Sequence, residues 1–287
     1  MRSEQDMFDL ITNTALNDER IRAVILNGSR ANPNAPYDIF QDYDIVYVVT
    51  DVASFTHDHD WIHLFGELMI LQLPDEMGLP SETEGFHYLM QFADGNRIDL
   101  TLFPMSKLNK MEKDSLTVIL LDKDDIFKTL EPANDSDYLP KPPTEKQYAD
   151  CCNEFWWVST YVAKGLWREQ ILYARHMQDQ VMRKHLMQML TWYMGVKTHF
   201  SKNLGAYGKY YEQYLDSELW EMLLLTYATA GYENTWAALF TICDLFRRVA
   251  NTVAEHFGHV YPLEDDEKVI AHLKHVHSLP RDAERMY

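Results

Sequence analysis

The chain has 287 residues, of which 46% are hydrophobic, so it can form one large domain or two ordinary domains with a sizeable core. Its formal net charge of -18 argues against nucleic-acid binding, because such surfaces depend on Lys and Arg. No stretch reaches the ~18 apolar residues of a membrane span, and the first residues lack the apolar core of a signal peptide. Three cysteines are an odd count, which argues against a disulfide framework. We therefore expect a cytoplasmic globular protein that binds neither nucleic acid nor a membrane, and its oligomeric state stays open.

The charge is unevenly distributed along the chain. Residues 1–145 carry 11 Lys and Arg against 27 Asp and Glu, whereas the remainder carries 15 against 17. The segment EPANDSDYLPKPPTEKQY, residues 131–148, contains four prolines and is typical of an extended connector. Two domains are therefore predicted, residues 1–140 and residues 141–287.

The first domain is predicted to combine helices with a small mixed sheet. MFDLITNTALND has helical spacing, and IRAVILN, YDIVYVV and LMILQL are short apolar runs typical of strands. FHYLMQFADGNRIDLTLF is predicted to form two strands joined by an Asp-Gly turn. These elements indicate a sheet flanked by helices.

The second domain is predicted to be a helical bundle. The segments that begin at Asp150 and Ser217 repeat apolar residues at spacings of three and four, with almost no Gly or Pro. The fold class predicted for the whole chain is therefore α+β, with a mixed sheet first and helices after it.

Two carboxylates open the predicted strand YDIVYVV. Residues two apart in a strand face the same side, so Asp42 and Asp44 project together if Tyr43 points into the core. Like charges this close are relieved by a shared proton or by a bound cation, and Mg²⁺ prefers carboxylate oxygens. We therefore predict a metal site at this pair.

A small turn precedes the pair by about a dozen residues. Gly28 and Ser29 follow the strand IRAVILN, where exposed backbone N–H groups and a hydroxyl can hold a phosphate. A phosphate site is therefore predicted beside the metal site.

A third carboxylate interrupts a later strand. In GNRIDLTLF, alternation places Asp99 on the face of Arg97 and Thr101, opposite Ile98 and Leu100. If this strand neighbours that of Asp42, Asp99 is either a third metal ligand or the base that accepts a proton from an attacking hydroxyl.

Gly-Ser, Asp-x-Asp and a later strand carboxylate resemble the nucleotidyltransferase superfamily related to DNA polymerase beta. NGSR, FQDYDIVYVVTD, DGNRIDLTLFP, LLDKD and DCCNEFWWVSTYVAKGLWREQI resemble more closely the aminoglycoside 6-adenylyltransferase (streptomycin adenylyltransferase) family. The first motifs are common to the superfamily, and the last block narrows the resemblance to this family.

The resemblance implies transfer of AMP from ATP to a hydroxyl of the streptidine ring of streptomycin, with release of pyrophosphate. It implies that Asp42 and Asp44 hold Mg²⁺, that Gly28 and Ser29 grip the triphosphate, and that Asp99 is the third carboxylate, as base or as metal ligand. The acidic first domain also suits a cationic aminoglycoside.

Four further residues are candidates for substrate contacts. Arg30 follows the Gly-Ser turn, and Lys164 and Arg168 lie one helical turn apart, so all three are candidates for contacts with the phosphates of ATP. Surface positions would explain the same three residues. Glu154 lies among aromatic residues and is a candidate contact for the cationic groups of the drug.

An alternative function stays open. A protein with this fold could modify another protein, as antitoxin-like relatives do, or bind nucleotide without turnover. A second domain of about 145 residues favours a small-molecule acceptor, because it would help to form a ligand cleft.

Overall fold

The computed structural model describes residues 1–78, 84–128 and 131–287. The chain folds into two compact units, Met1–Asp137 and Tyr138–Tyr287. The first unit contains a sheet and helices, and the second unit is helical throughout its regular elements.

The first unit is built on a six-stranded sheet with the order β3-β4-β5-β2-β1-β6. The strands are β1 Ile21–Asn27, β2 Tyr43–Val49, β3 Leu68–Gln72, β4 Phe86–Phe92, β5 Arg97–Pro104 and β6 Val118–Asp122. The central pair β2 and β5 is parallel, and the other neighbouring pairs are antiparallel. The sheet is therefore mixed, as predicted.

Helix α1, Glu4–Asn17, packs its apolar stripe on one face of this sheet. A capping box between Ser3 and Asp6 fixes its first turn. Its residues Met7, Ile11 and Ala15 are fully buried in the core of the unit. Two short helices, α2 Gly28–Ala31 and α3 Ala53–Thr56, follow β1 and β2.

Strand β2 separates apolar and acidic side chains by alternation. Tyr43, Ile45 and Tyr47 are buried in the core beneath α1. Asp44 lies on the opposite face, outside this core, where its carboxylate is available to a ligand. The predicted facing of this strand is therefore observed.

The first helix of the second unit, α4, begins just after the prolines of the connector. Thr144 caps α4 through a reciprocal capping box with Gln147. The helices are α4 Glu145–Trp167, α5 Ile171–His176, α6 Arg183–Thr198, α7 Tyr211–Tyr214, α8 Ser217–Leu225, α9 Tyr232–Phe257 and α10 Leu263–Ser278.

A single apolar core joins these helices. Phe155 of α4 stacks on Phe246 of α9 with ring centroids 3.6 Å apart, and both side chains are fully buried. A π-helical segment, Met177–Met182, separates α5 from α6. The three cysteines are buried free thiols in this core.

The structure confirms the predicted fold class, a mixed sheet with helices followed by a helical region. The predicted strands IRAVILN and YDIVYVV coincide with β1 and β2. Strand β6 is not among the predicted strands. In the described residues, no helix has the length and apolar character of a membrane span.

Candidate active site

The paired strands β2 and β5 bring three carboxylates to one face of the sheet. Asp44 lies opposite Asp99 in the parallel register, one position after the pair Tyr43 and Ile98. One carboxylate oxygen from each of Asp42, Asp44 and Asp99 lies within 4.8 Å of the others. The three aspartates singled out in the sequence therefore form one cluster.

Crowding in this cluster changes the acidity of its central member. Burial, together with the negative charges of Asp42 and Asp99, raises the pKa of Asp44 to about 7. The positive charge of Arg97 acts in the opposite direction and does not cancel this effect. The cluster therefore holds more negative charge than its protein surroundings stabilise.

Arg97 supplies the cation that contacts this cluster. Its Nε donates to Oδ1 of Asp99 and its Nη2 donates to Oδ2 of Asp99, both at 2.7 Å. Its Nε also lies 3.7 Å from Oδ2 of Asp42. The alternation of β5 places Arg97 on the face of Asp99, as the sequence predicts, but the sequence did not indicate this bidentate pair.

The donor chemistry of the cluster fits a hard divalent cation. Three carboxylates and one guanidinium leave a formal charge of -2, which a divalent ion would neutralise. Carboxylate oxygens that converge within a few ångströms are ligands suited to Mg²⁺, which also keeps water and phosphate oxygens. Asp42, Asp44 and Asp99 are therefore the residues that could hold such an ion.

Gly28 lies against this cluster at the end of β1. Its φ is +70°, and a β-carbon added there would lie 2.0 Å from Oδ2 of Asp44. Both the backbone conformation and the close approach require glycine. The Gly-Ser turn and the acidic cluster are therefore in direct contact.

Ser29 follows Gly28 in the short helix α2 and is half-buried. Its backbone carbonyl accepts a hydrogen bond from the Asn32 amide. Within the described residues its hydroxyl makes no hydrogen bond, so it is available to a ligand beside the cluster.

Arg30 binds the backbone just before β2. Its Nε donates to the carbonyl of Asp42, its Nη2 donates to the carbonyl of Gln41, and its Nη1 pairs with Glu4 at 2.8 Å. The guanidinium also lies 3.9 Å from the ring centroid of Tyr43, and the side chain is only 6% exposed. The structure thus buries Arg30 in a supporting position rather than at the surface, and its predicted contact with the phosphates of ATP stays a prediction.

The other two cationic candidates lie on the helical unit. Lys164 is exposed near the end of α4, with Nζ 4.6 Å from the ring centroid of Tyr161. Arg168 is exposed at the C-cap of the same helix. Their predicted contact with ATP stays a prediction.

Glu154 lines a cavity in the helical unit. The cavity has a volume of about 650 Å³, and its walls include Asp150, His185 and Trp192. Burial lowers the pKa of His185, and the Glu154 carboxylate acts against this change. The structure therefore places Glu154 beside an aromatic wall, where a ligand could contact both.

Comparisons with known proteins identify the family. A sequence model described as streptomycin adenylyltransferase matches residues 1–276. The chain is 43% identical over 270 residues to the aminoglycoside 6-adenylyltransferase of Bacillus subtilis (strain 168), covering 93% of this chain and 95% of that protein. It is 44% identical over 269 residues to the enzyme of that name from Campylobacter jejuni, covering 93% of each chain.

A third relative and a solved structure carry the same name or nearly the same. The aminoglycoside 6-adenylyltransferase of Staphylococcus aureus is 39% identical over 266 residues, covering 91% of this chain and 94% of that protein. The crystal structure of an aminoglycoside 6-adenyltransferase from Bacillus subtilis is 38% identical. It aligns with 97% of this chain and 100% of its own, with a TM-score of 0.48.

The family match spans both compact units and includes the Gly-Ser turn and the three aspartates. It therefore confirms the resemblance predicted from the sequence motifs. The chain belongs to the streptomycin adenylyltransferase family and is an adenylyltransferase.

Proposed function

We propose that this protein transfers AMP from ATP to a hydroxyl of an aminoglycoside, with pyrophosphate as the second product. The acceptor we propose is streptomycin, modified at the 6-position of its streptidine ring. The observation that carries the proposal is the cluster of Asp42, Asp44 and Asp99 against the Gly-Ser turn, in a chain of this family. Resistance to the antibiotic would follow from the modification.

Asp42 and Asp44 are the proposed ligands of Mg²⁺, with Asp99 completing the carboxylate set. When bound, Mg²⁺ neutralises charge on the triphosphate and on the leaving pyrophosphate. The contribution of the protein is position, since the parallel register of β2 and β5 fixes the separation of Asp44 and Asp99. The same register leaves their carboxylates on the face away from the α1 core.

Gly28 and Ser29 are the proposed contacts for the triphosphate. The absence of a β-carbon at Gly28 leaves space beside Asp44, and the Ser29 hydroxyl can donate a hydrogen bond to a phosphate oxygen. Lys164 and Arg168 are proposed to supply positive charge to the same phosphates.

Asp99 is the proposed general base. Its carboxylate would accept the proton of the acceptor hydroxyl as the hydroxyl oxygen bonds to the α-phosphorus and the bond to pyrophosphate breaks. A positioned base contributes roughly 10²–10⁴-fold to such a step. Asp99 is 21% exposed, which allows a substrate hydroxyl to approach it.

Glu154 is the proposed contact for the cationic groups of the drug. The cavity that it lines offers the carboxylates of Asp150 and Glu154 for pairing with guanidinium and the indole of Trp192 as an apolar wall. Asp150 already pairs with Lys146 at 2.6 Å, so Glu154 is the more available of the two. The helical unit would thus contribute to acceptor recognition.

The test is a pyrophosphate-release assay with ATP, Mg²⁺ and a panel of aminoglycosides, with mass spectrometry of the drug. We expect release that depends on streptomycin, together with a gain in drug mass equal to one AMP moiety. If pyrophosphate were released only with a 2-deoxystreptamine aminoglycoside, the proposed reaction would stand but the proposed acceptor would be wrong.

The same assay distinguishes the proposed function from the alternative function. A protein-modifying enzyme would attach AMP to a polypeptide and release no drug-dependent pyrophosphate. A nucleotide-binding protein without turnover would release no pyrophosphate under any condition. Either result would reject the proposed function.

A further inference from the structure

The geometry around Arg97 points to a role that the proposed reaction does not yet include. We propose that Arg97 is a positioning residue that binds Asp99 in the metal-free enzyme and releases it when the divalent cation is coordinated. Guanidinium and metal ion then compete for the same cluster of carboxylates. The inference rests on the proposed function only for the metal site itself.

The first support is the completeness of the Arg97–Asp99 pair. Arg97 and Asp99 lie two residues apart on β5, so their side chains emerge on the same face. Both carboxylate oxygens of Asp99 accept from the guanidinium at 2.7 Å. In this arrangement the arginine occupies both oxygens of Asp99, so neither is free to accept the proton of a hydroxyl.

The second support is the reach of the same guanidinium toward Asp42. Its Nε lies 3.7 Å from Oδ2 of Asp42, so one positive charge serves two members of the cluster. A divalent ion among these carboxylates would lie within a few ångströms of the guanidinium, and their repulsion would weaken both interactions. The metal ion and Arg97 thus oppose each other in the present arrangement.

The third support is freedom of movement, which distinguishes the two arginines next to this cluster. The side chain of Arg97 is 44% exposed, whereas that of Arg30 is 6% exposed and held by Glu4 and two carbonyl groups. Exposure allows Arg97 to leave Asp99 without breaking the core. Arg30 has no comparable freedom and keeps its place.

A functional consequence follows for the order of events. Without nucleotide, a divalent cation would have to displace Arg97 and would gain only the carboxylate oxygens of the cluster, so its affinity would be low. With ATP bound, the phosphates would offer further oxygen ligands to such a cation and another anionic partner to the guanidinium of Arg97. Arg97 therefore favours entry of the metal together with ATP and frees Asp99 at that moment.

The test measures Mn²⁺ binding to the intact protein without ATP or drug, by electron paramagnetic resonance, with Mn²⁺ as the probe for Mg²⁺. Arg97→Gln removes the competing charge, so we expect at least about tenfold tighter Mn²⁺ binding. Arg97→Lys keeps the charge but loses the two-pronged contact, so we expect a smaller gain. Thermal unfolding with and without Mn²⁺ checks the folding of each variant.

Arg22→Gln is the matched control. Arg22 is an arginine of β1 in the same unit and pairs with Glu19 and Asp124, away from the cluster. Its loss should leave Mn²⁺ affinity near the wild-type value, because charges far from the cluster are screened. If Arg22→Gln raised Mn²⁺ affinity as much as Arg97→Gln does, the effect would arise from net charge alone, and the inference would be overturned.

Unchanged or weaker Mn²⁺ binding in Arg97→Gln would also overturn it. If Arg97→Gln does not fold without metal, Arg97→Lys decides, since equal or weaker binding by that variant contradicts competition. Absence of Mn²⁺ binding in all variants would reject both the inference and the metal site. Tight Mn²⁺ binding without transfer to any aminoglycoside would reject only the proposed function.

Discussion

Gly28 lies so close to Asp44 that a β-carbon at position 28 would be 2.0 Å from Oδ2 of that carboxylate. Gly28→Ala should therefore displace Asp44 and lower the rate of AMP transfer by about 10²-fold or more, as small misplacements of catalytic groups do. Steady-state kinetics with saturating Mg²⁺ measures the loss.

Gly258→Ala is the control for this substitution. Gly258 has the same φ of +70°, but a β-carbon there meets nothing within 4 Å. Both alanine variants should lose roughly 1–2 kcal/mol of unfolding free energy from the left-handed backbone. Only Gly28→Ala should lose activity, and equal activity in the two variants would count against contact between the turn and the metal site.

The raised pKa of Asp44 predicts how metal-free stability depends on pH. The folded protein holds this proton up to about pH 7, whereas an unfolded aspartate releases it near its ordinary value of 3.8. The stabilising contribution is therefore complete below pH 3.8 and is lost as pH rises through 7. Asp44→Asn should flatten this part of the curve, so the variant gains stability relative to wild type between pH 4 and 8.

Thermal unfolding across this pH range, with chelator present, measures the difference between the two proteins. Mg²⁺ should stabilise wild type more at pH 8 than at pH 6, because it binds the deprotonated carboxylate. Parallel stability curves for wild type and Asp44→Asn would show that Asp44 titrates normally and that the cluster is less crowded than the structure indicates.

Substitution of Arg30 distinguishes a supporting role in the fold from a contact with the phosphates of ATP. Arg30→Lys keeps one positive charge but cannot reach Glu4 and the carbonyls of Gln41 and Asp42 together. We expect a loss of about 1–3 kcal/mol in unfolding free energy, since hydrogen bonds to a buried charged group are disrupted. Denaturant titration measures it, alongside kcat and KM for ATP. A higher KM with unchanged stability would instead assign Arg30 to the phosphates.

The Asp99→Asn substitution tests whether Asp99 is the general base or a metal ligand. As the base, Asp99 can be replaced with little change in the binding of ATP and Mg²⁺, and kcat should fall by roughly 10²–10⁴-fold. The measurement is kcat and KM for ATP over a range of Mg²⁺ concentrations. Recovery of the rate at high Mg²⁺ would make Asp99 a metal ligand and leave the proton to another acceptor.

Alternation along single strands allowed much of this site to be predicted from the sequence. The buried Tyr43 and Ile45 fix the opposite facing of Asp44, and Ile98 and Leu100 do the same for Asp99. These are local relationships with a period of two residues, so a strand of this composition encodes them directly. The helical character of the second unit is encoded in the same way by its apolar spacing.

Relationships across the sheet could not be obtained from that pattern. The parallel register pairs Asp44 with Asp99, which lie more than fifty positions apart in the sequence, and it depends on packing of the whole sheet. The pairing of Arg30 with Glu4 and of Arg97 with Asp99 depends on which rotamers the folded surroundings allow. Such contacts arise from tertiary structure, so residue spacing alone does not specify them.

The transfer of isotope from ATP tests the central claim most directly. Wild-type protein should move label from ATP labelled at the α-phosphate onto streptomycin and should leave γ-label in pyrophosphate. Asp42→Asn should lose nearly all transfer at saturating Mg²⁺, and Asp9→Asn, which changes an exposed aspartate of α1, should keep it. Label from the γ-phosphate on the drug, or full transfer by Asp42→Asn, would contradict adenylylation at this carboxylate cluster.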